Sequence, residues 1–495
     1  MPIQNGSGLN SVAAPQQTTL VTNYIDFTAA GTAGWAQQYL PDLLEGEAEV
    51  FGSRTIAGFL SQVGAEEAMS SDQVIWSEQG RLHLSYTGTI SDVTGHGGTN
   101  SAPSQITLSN DIDGNTVAND GHGVRVNDLL LVATASGTAR CIVHAVDAGA
   151  TTIEVSAFGL ADLASLGADG VACTVMVFGS EFAKGTTGRS VANSPAFQTF
   201  TNKPIILKDY YEISGSDASQ IGWVEVTGED GQNGYYWYLK AEGDTRSRFA
   251  DYLEMAMMES IQGAQATDQV ETALGLGAIG AAAERLTGTQ GLFDAIETRG
   301  NITTGVTGFS PPVDLSEFDL ILAEFDRQGA IEENMMFLNR NTSLAVDDML
   351  AGMNSYGQNG TSFGVFNNSE DMALNLGFSG FRRGSYDFYK SDFRYLNDKA
   401  TRASINDRDV AGAIRGVIIP AGVSTVYDQT LGRNLKRPFL HVRYRASQME
   451  DRKMKSWITG SVGGNITDAI DAMQVHFLSE RCLVTQGANN FMLMK

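Results

Sequence analysis

Strand-like alternation begins in this chain, breaks off and then begins again, so one folded unit has to sit inside another. Residues 72–93, containing "QVIWSEQGRLHLSYTGTI", alternate apolar and polar through Leu82, Leu84 and Tyr86, the period of a half-buried strand. Alternation resumes near 173–179 ("CTVMVFG"), followed by a polar segment and the apolar "KPIILKDYYEI". Between them, residues 96–180 read as a separate unit of short strands. Val124/Val126, Cys141/Val143/Ala145 and Ile153/Val155 each alternate, and Asn127-Asp128, Ser136-Gly137 and Ala148-Gly149 supply turns. Short strands at this spacing predict a small β-barrel. Eight acids against two arginines make it acidic, as an outward-facing insertion would be.

The flanking segments read differently. Residues 1–33 are polar and aperiodic, an extended arm that would be ordered by what it wraps. Residues 34–68 look helical in two pieces: Trp35, Tyr39, Leu40, Leu43 and Leu44, with Pro41 as an interruption, then Ile56, Phe59, Leu60 and Val63. The clearest helix is 234–265, where Phe249, Leu253, Met257 and Ile261 recur every fourth residue, a span of roughly 45 Å. In 314–352, "DLSEFDLILAEFDRQG" predicts a helix with Asp314 or Ser316 as N-cap and Gly329 as stop, "NMMFLNR" a buried strand and "NTSLAVDDMLAGM" another helix. This is α/β layering. No internal repeat is visible.

Bulk properties narrow the classes. A chain of 495 residues predicts two to four domains, or one with large insertions. With 55 Gly and 10 Pro, connections are turns rather than stiff linkers. The formal charge of −24 opposes adhesion to DNA or anionic membrane. Charge is also segregated: residues 382–455 hold sixteen Lys/Arg against eight Asp/Glu. Cys141, Cys173 and Cys482 lie far apart with no CxxC, which predicts free buried thiols in a reducing compartment. The first residues lack a basic start and an apolar core, and no run reaches the ~18 apolar residues of a membrane helix. The expectation is a soluble chain made in the cytosol.

Chemistry-bearing motifs are sparse. Gly275-Leu276-Gly277-Ala278-Ile279-Gly280 matches GxGxxG, but no β-α-β unit surrounds it, and a glycine-rich bend is the better reading. Asp111, Asp113, Asn115 and Asp120 form an acidic loop. Gly114 stands at its fourth place rather than the sixth, and His122 replaces the closing Glu, so a solvated turn is favoured over a cation site. His83, His96, His122, His144, His441 and His476 show no zinc or triad spacing, and there is no GxSxG. We expect no catalytic, cofactor-binding or metal-binding residues. In the basic segment, Phe381, Tyr386, Phe388, Tyr389, Phe393 and Tyr395 are interleaved with Arg and Lys, as in single-strand binders. We favour instead a core for the aromatics and acids of a neighbouring copy for the bases.

Five segments carry a resemblance in their order: "SEQGRLH" (Ser77–His83), "EFAKGTTG" (Glu181–Gly188), "GLFDAIETRGN" (Gly291–Asn301), "GVIIPAG" (Gly416–Gly422) and "SERCLVTQGANNF" (Ser479–Phe491). With the order of elements, they resemble the major capsid proteins of tailed double-stranded DNA bacteriophages (Caudoviricetes), the Hong Kong ninety-seven type, most of all large T-even-like or crAss-like members. The resemblance implies an α+β phage major capsid fold with a small β-barrel insertion. Its parts would be an N-terminal arm (1–70), an extended loop (71–95 outgoing, 181–205 returning) around the insertion (96–180), a peripheral domain with a spine helix (206–305, closed by strands in 456–495) and an axial domain (306–455). It implies a structural, non-enzymatic virion protein that self-assembles into hexamers and pentamers of an icosahedral viral head. Its partners would be its own copies, portal, a separate scaffold and decoration proteins, and packaged DNA by non-specific contact, with no membrane. Lys184 with Asn489 or Asn490 would be candidates for the inter-subunit cross-link of some members. Two rivals stand beside it: an encapsulin-like compartment shell, and a surface carbohydrate-binding protein using the barrel.

Overall fold

The computed structural model describes residues 59–60, 65–79, 85–93, 103–112, 114–117, 121–147, 151–189, 197–220, 236–264, 286–328, 331–355, 380–406, 412–421, 423–428, 433–462 and 466–495. The predicted arm and most of the predicted 34–68 helices lie outside them. The path starts with β1 (Ala65–Met69) and β2 (Val74–Gln79), then β3 (Ser85–Asp92), β4 (Ser104–Asp111), β5 (Asp128–Thr134), β6 (Gly137–Val146), β7 (Thr152–Ala157) and β8 (Val171–Ser180). It returns through β9 (Phe197–Asn202) and β10 (Ile205–Ser214) to the long helix α1 (Tyr236–Glu259), then α2 (Leu292–Arg299), β11 (Asn301–Thr303), α3 (Pro311–Gln328), β12 (Glu333–Leu338) and α4 (Arg340–Ser355). The last third holds β13 (Gly380–Arg383), β14 (Tyr386–Asp392), β15 (Gly416–Pro420), the pair β16 (Val423–Asp428) and β17 (Arg433–Pro438), β18 (Leu440–Arg445), β19 (Lys455–Gly460), β20 (Ala472–Thr485) and β21 (Met492–Met494). The chain divides into two units, Ser77–Thr199 and the remainder, and the division falls within the β2–β9 pair.

The inner unit is a closed six-stranded barrel in the order β3-β4-β7-β6-β5-β8. Its interior is filled by alternate residues, among them Ile90, Ile106, Leu130, Val132, Cys141, Ile153, Val155 and Val175. The predicted insertion limit of 96 is therefore too late. β3, assigned from sequence to the outgoing strand, pairs with both β4 and β8, because a barrel closes only if its first strand covers the edge of its last. Val124 and Val126 are not a strand. Val124 is buried and Val126 exposed ahead of a turn whose Asn127 takes φ 68°, the left-handed conformation that Asn tolerates. After β8 the chain folds back: Glu181 N donates to Asn127 O, and Arg189 pairs at 2.5 Å with the buried carboxylate of Asp128.

The outer unit has two main sheets. In the first, β1-β18-β20-β10, the 14-residue β20 is the common member, and β19 pairs beside β18 along its length. β1 runs parallel to β18, so the predicted helix through residue 68 gives way to a strand after Phe59 and Leu60, which are helical and buried. The second sheet, β11-β21-β15-β12-β14-β13, is buried on both faces. Phe337, Val417, Ile419 and Leu493 face one core with α2 and the end of α1, while Met336, Leu338, Ile418, Met492 and Met494 face another under α3 and α4. Alternation is invisible where both faces are apolar, hence the unbroken "GVII" and "FMLM". The predicted boundary at 455/456 does not follow the sheets. β18 joins the first sheet and β21 the second, since each extends a ladder begun elsewhere in the chain.

α1 lies on the first sheet, with Phe249 and Leu253 against Val475 and Phe477. It ends at Glu259, spanning about 36 Å. Ile261 is past its end and 68% exposed. The helix stops because Gly291 N donates to Ser260 O at 2.8 Å, and the segment passes so close that a Cβ at 291 would lie 2.7 Å from that oxygen. α3 starts earlier than predicted, with Pro311 in its first turn, where a missing N–H costs nothing. Asp314 is not its N-cap; its carboxylate accepts the N–H groups of Gly308 and Phe309.

Candidate assembly surfaces

The basic segment resolves into packing and ion pairs within one chain. Phe381, Tyr386, Phe388, Phe393 and Tyr395 are buried, and only Tyr389 of the six aromatics is exposed. Phe381, Tyr386 and Phe388 pack with Phe318 and Phe325 of α3, so they offer no stacking platform. Most of the described bases meet acids of the same chain, where the expectation was a neighbour's acids. Lys390 and Asp347 form a buried pair at 2.5 Å. Arg383 grips Asp319 through two nitrogens, at 2.5 and 2.7 Å. Arg402 and the Tyr395 hydroxyl converge on Glu259 at the end of α1. Beside β18 and β20, Arg443 pairs with Glu67, Lys453 with Glu66, Arg445 with Asp72 and Arg452 with Glu480. These pairs explain the charge segregation: strands poor in bases lie beside strands rich in them. Within the cluster Arg481 is buried, and desolvation lowers its pKa from the ordinary guanidinium value.

Other candidates take structural places. Gly275 to Gly280 lie outside the described residues, as do Asp113, Asp120, His83 and His96. Asp111 accepts Asn115 N at 2.8 Å and Asn115 Nδ2 at 3.2 Å, a side-chain-closed turn. Among the described residues no three metal-ligating side chains cluster. Lys184 is exposed in the tail after β8, whereas Asn489 and Asn490 are half-buried in a short turn tied by Asn301 Nδ2 to Asn489 O at 2.7 Å. Cys141, Cys173 and Cys482 are buried free thiols, and burial pushes them up to about 12, 11 and 12, so they stay protonated and inert. Among the described residues no helix is long and apolar enough to cross a membrane. Sequence reading missed Asn202. It is fully buried, donates to Leu483 O and Gln290 O, and accepts from Thr289, Gln290 and Lys203, locking the β9–β10 corner. A lone Asn in a polar stretch carries no periodic signal that marks it.

Several apolar side chains remain uncovered. On the face of the first sheet opposite α1, Tyr210, His476 and Trp457 stack in a row across β10, β20 and β19, with centroids 5.9 and 5.2 Å apart, and Ile206 stands exposed further along β10. The outer side of α3 and its preceding loop exposes Phe309, Val313 and Leu320. In the barrel unit Phe158, Leu160, Met176 and Phe178 are exposed. Scattered exposed apolar residues are ordinary, but rows and stripes mark contact surfaces.

No family model and no curated protein matches this chain. Among solved structures, the capsid of cyanophage P-SCSP1u is similar at 7% identity with a TM-score of 0.41, over 92% of this chain and 93% of that one. A structure from Mycobacterium phage Ogopogo is similar at 10% identity with a TM-score of 0.39, over 92% and 97%. One from Microbacterium phage Oxtober96 is similar at 9% identity with a TM-score of 0.37, over 92% and 96%.

Proposed function

We propose that this chain is a phage major capsid protein, a structural subunit of the virion that assembles with its own copies into the hexamers and pentamers of an icosahedral shell around double-stranded DNA. The observation that carries this reading is where the five resembling segments fall. Ser77–His83 begins in β2, Glu181–Gly188 follows β8, Gly291–Asn301 is α2 running into β11, Gly416–Gly422 holds β15, and Ser479–Phe491 runs from β20 to the edge of β21. Each is a joint of the fold. The β2–β9 pair fits the extended loop with its insertion, α1 the spine helix, and the two-faced sheet under α3 and α4 the axial domain. The uncovered apolar rows of the outer unit suit surfaces that are exposed only before assembly, since obligate interfaces bury ~2,000–5,000 Å². The net charge of −24 suits a container wall that DNA slides along rather than grips. Portal, scaffold and decoration proteins would be its partners.

The test is negative-stain electron microscopy of the chain expressed alone and with a candidate scaffold. Closed shells, tubes or regular capsomers are expected. A well-behaved monomer under every condition would overturn the proposal.

A further inference from the structure

The outer surface of the barrel is divided. Thr87, Thr89, Gln105 and Thr107 make the outside of β3 and β4 a hydroxyl and amide face. Across the end of β7 and along β6, β5 and β8 the composition inverts. Phe158 N donates to Arg140 O, Arg140 is paired with Leu131, and Leu131 with Met176. Directly opposed residues point to the same side, so Phe158, Arg140, Leu131 and Met176 form one row across the outside of the barrel. A second row, Ile142 beside Leu129, follows it. Phe158 is 49% and Met176 43% exposed. Arg140 is exposed in the middle of this surface, and among the described residues it has no ion pair. An aromatic ring, a thioether and an arginine side by side are the residue types enriched where one protein grips another.

We infer that this face docks a separate protein whose contact surface carries apolar side chains around a carboxylate. Charge selects that occupant. Arg140 in an apolar setting calls for a carboxylate, which the matching face of a second copy does not supply, since it offers another Arg140. The inference concerns the surface of the folded chain and stands apart from the shell reading.

The test pans a displayed random dodecapeptide library on the immobilised full-length chain and measures the selected peptides by titration. Acidic peptides with aromatic or aliphatic neighbours are expected. Met176→Asp and Leu131→Asp should each weaken them about tenfold or more, the loss typical of a central contact. Phe158→Ala, which adds no charge, should also weaken them, and Arg140→Glu should switch selection from acidic to basic peptides. Unchanged thermal melting shows that the variants fold. Peptides without acid preference, no enrichment over Met176→Asp, or binding indifferent to all these variants overturns the inference. Self-association in sedimentation that Met176→Asp abolishes would assign the face to a second copy and also overturn it.

Discussion

The barrel and the two-faced sheet use the same apolar residues under opposite constraints. Barrel strands have one dry face, so β4 and β7 alternate between buried and half-exposed positions. β15 and β21 have two dry faces and are buried at every residue. The barrel also closes among strands that follow one another within a short stretch. The outer unit pairs β1 with β18, β10 with β20 and β11 with β21, partners far apart in sequence. Such pairing pays more loop entropy before it is rewarded. One unit is therefore specified locally, and the other only when distant segments meet.

Removing the barrel gives the largest expected effect. Deleting 97–180 strips β3 of both partners and uncovers Tyr86 and Ile90, so the product should be insoluble. Deleting 85–189 with a short Gly/Ser join removes the whole barrel and should leave a soluble outer unit. Soluble fraction and circular dichroism measure both. Equal behaviour of the two deletions would break the contrast.

A smaller effect tests how tightly each unit closes. A Cβ at Gly88 would lie 2.2 Å from Thr107 O, a backbone atom across the barrel ladder. At Gly416 the nearest atom is Leu338 Cδ2 at 2.5 Å, which a side-chain rotation can move, with Phe337 O next at 2.9 Å. Gly88→Ala should cost up to about 3 kcal/mol and Gly416→Ala less, as overpacking does. Chemical denaturation followed by proteolysis assigns each loss to its unit; a larger loss at Gly416 would reverse the ordering.

The sequence was most legible where a single period dominates. The alternation at Cys141/Val143 and Ile153/Val155, the four-residue spacing of Phe249, Leu253 and Met257, and the apolar run of β12 each identify their element. Limits were less legible, for physical reasons. β3 reads like any half-buried strand, and only barrel closure assigns it. Ile261 keeps the helical spacing, yet the close passage of Gly291 ends the helix before it. The aromatics of 381–395 read equally as a stacking platform or a core, and only α3 lying over them decides. The partners of the basic segment come from α1, α3, α4, β1 and β20, which no local window could pair with it.

Next in size is the buried pair that ties the barrel's tail. Asp128 is 1% exposed and bonded to Arg189, with Arg125 N as a second donor. Arg189→Ala should destabilise the barrel by about 2 kcal/mol, below the usual 3–5 for a broken buried pair because Arg189 is partly exposed and one donor remains. Adding Asp128→Asn should recover part of the loss in a double-mutant cycle. Additive losses would mean that the two side chains act independently.

The smallest effect is a dependence on pH that separates the units. His476 lies between the rings of Tyr210 and Trp457, with Nε2 2.7 Å from Thr459 Oγ1, and desolvation lowers its pKa below the ordinary 6.5. For a histidine lowered on folding, the unfolded chain takes up the proton first. The outer unit therefore keeps its stability above pH 6.5 and loses it as pH falls from there through the folded pKa. His476→Gln removes the titration and should flatten that decline between pH 7 and pH 5, with little change at pH 8. Melting temperatures of the wild-type chain and the variant across this range measure the effect. An unchanged slope in His476→Gln would show that the aromatic row tolerates the charged ring, as a cation over two π faces can, and that the acid sensitivity of the outer unit lies in its carboxylate pairs instead.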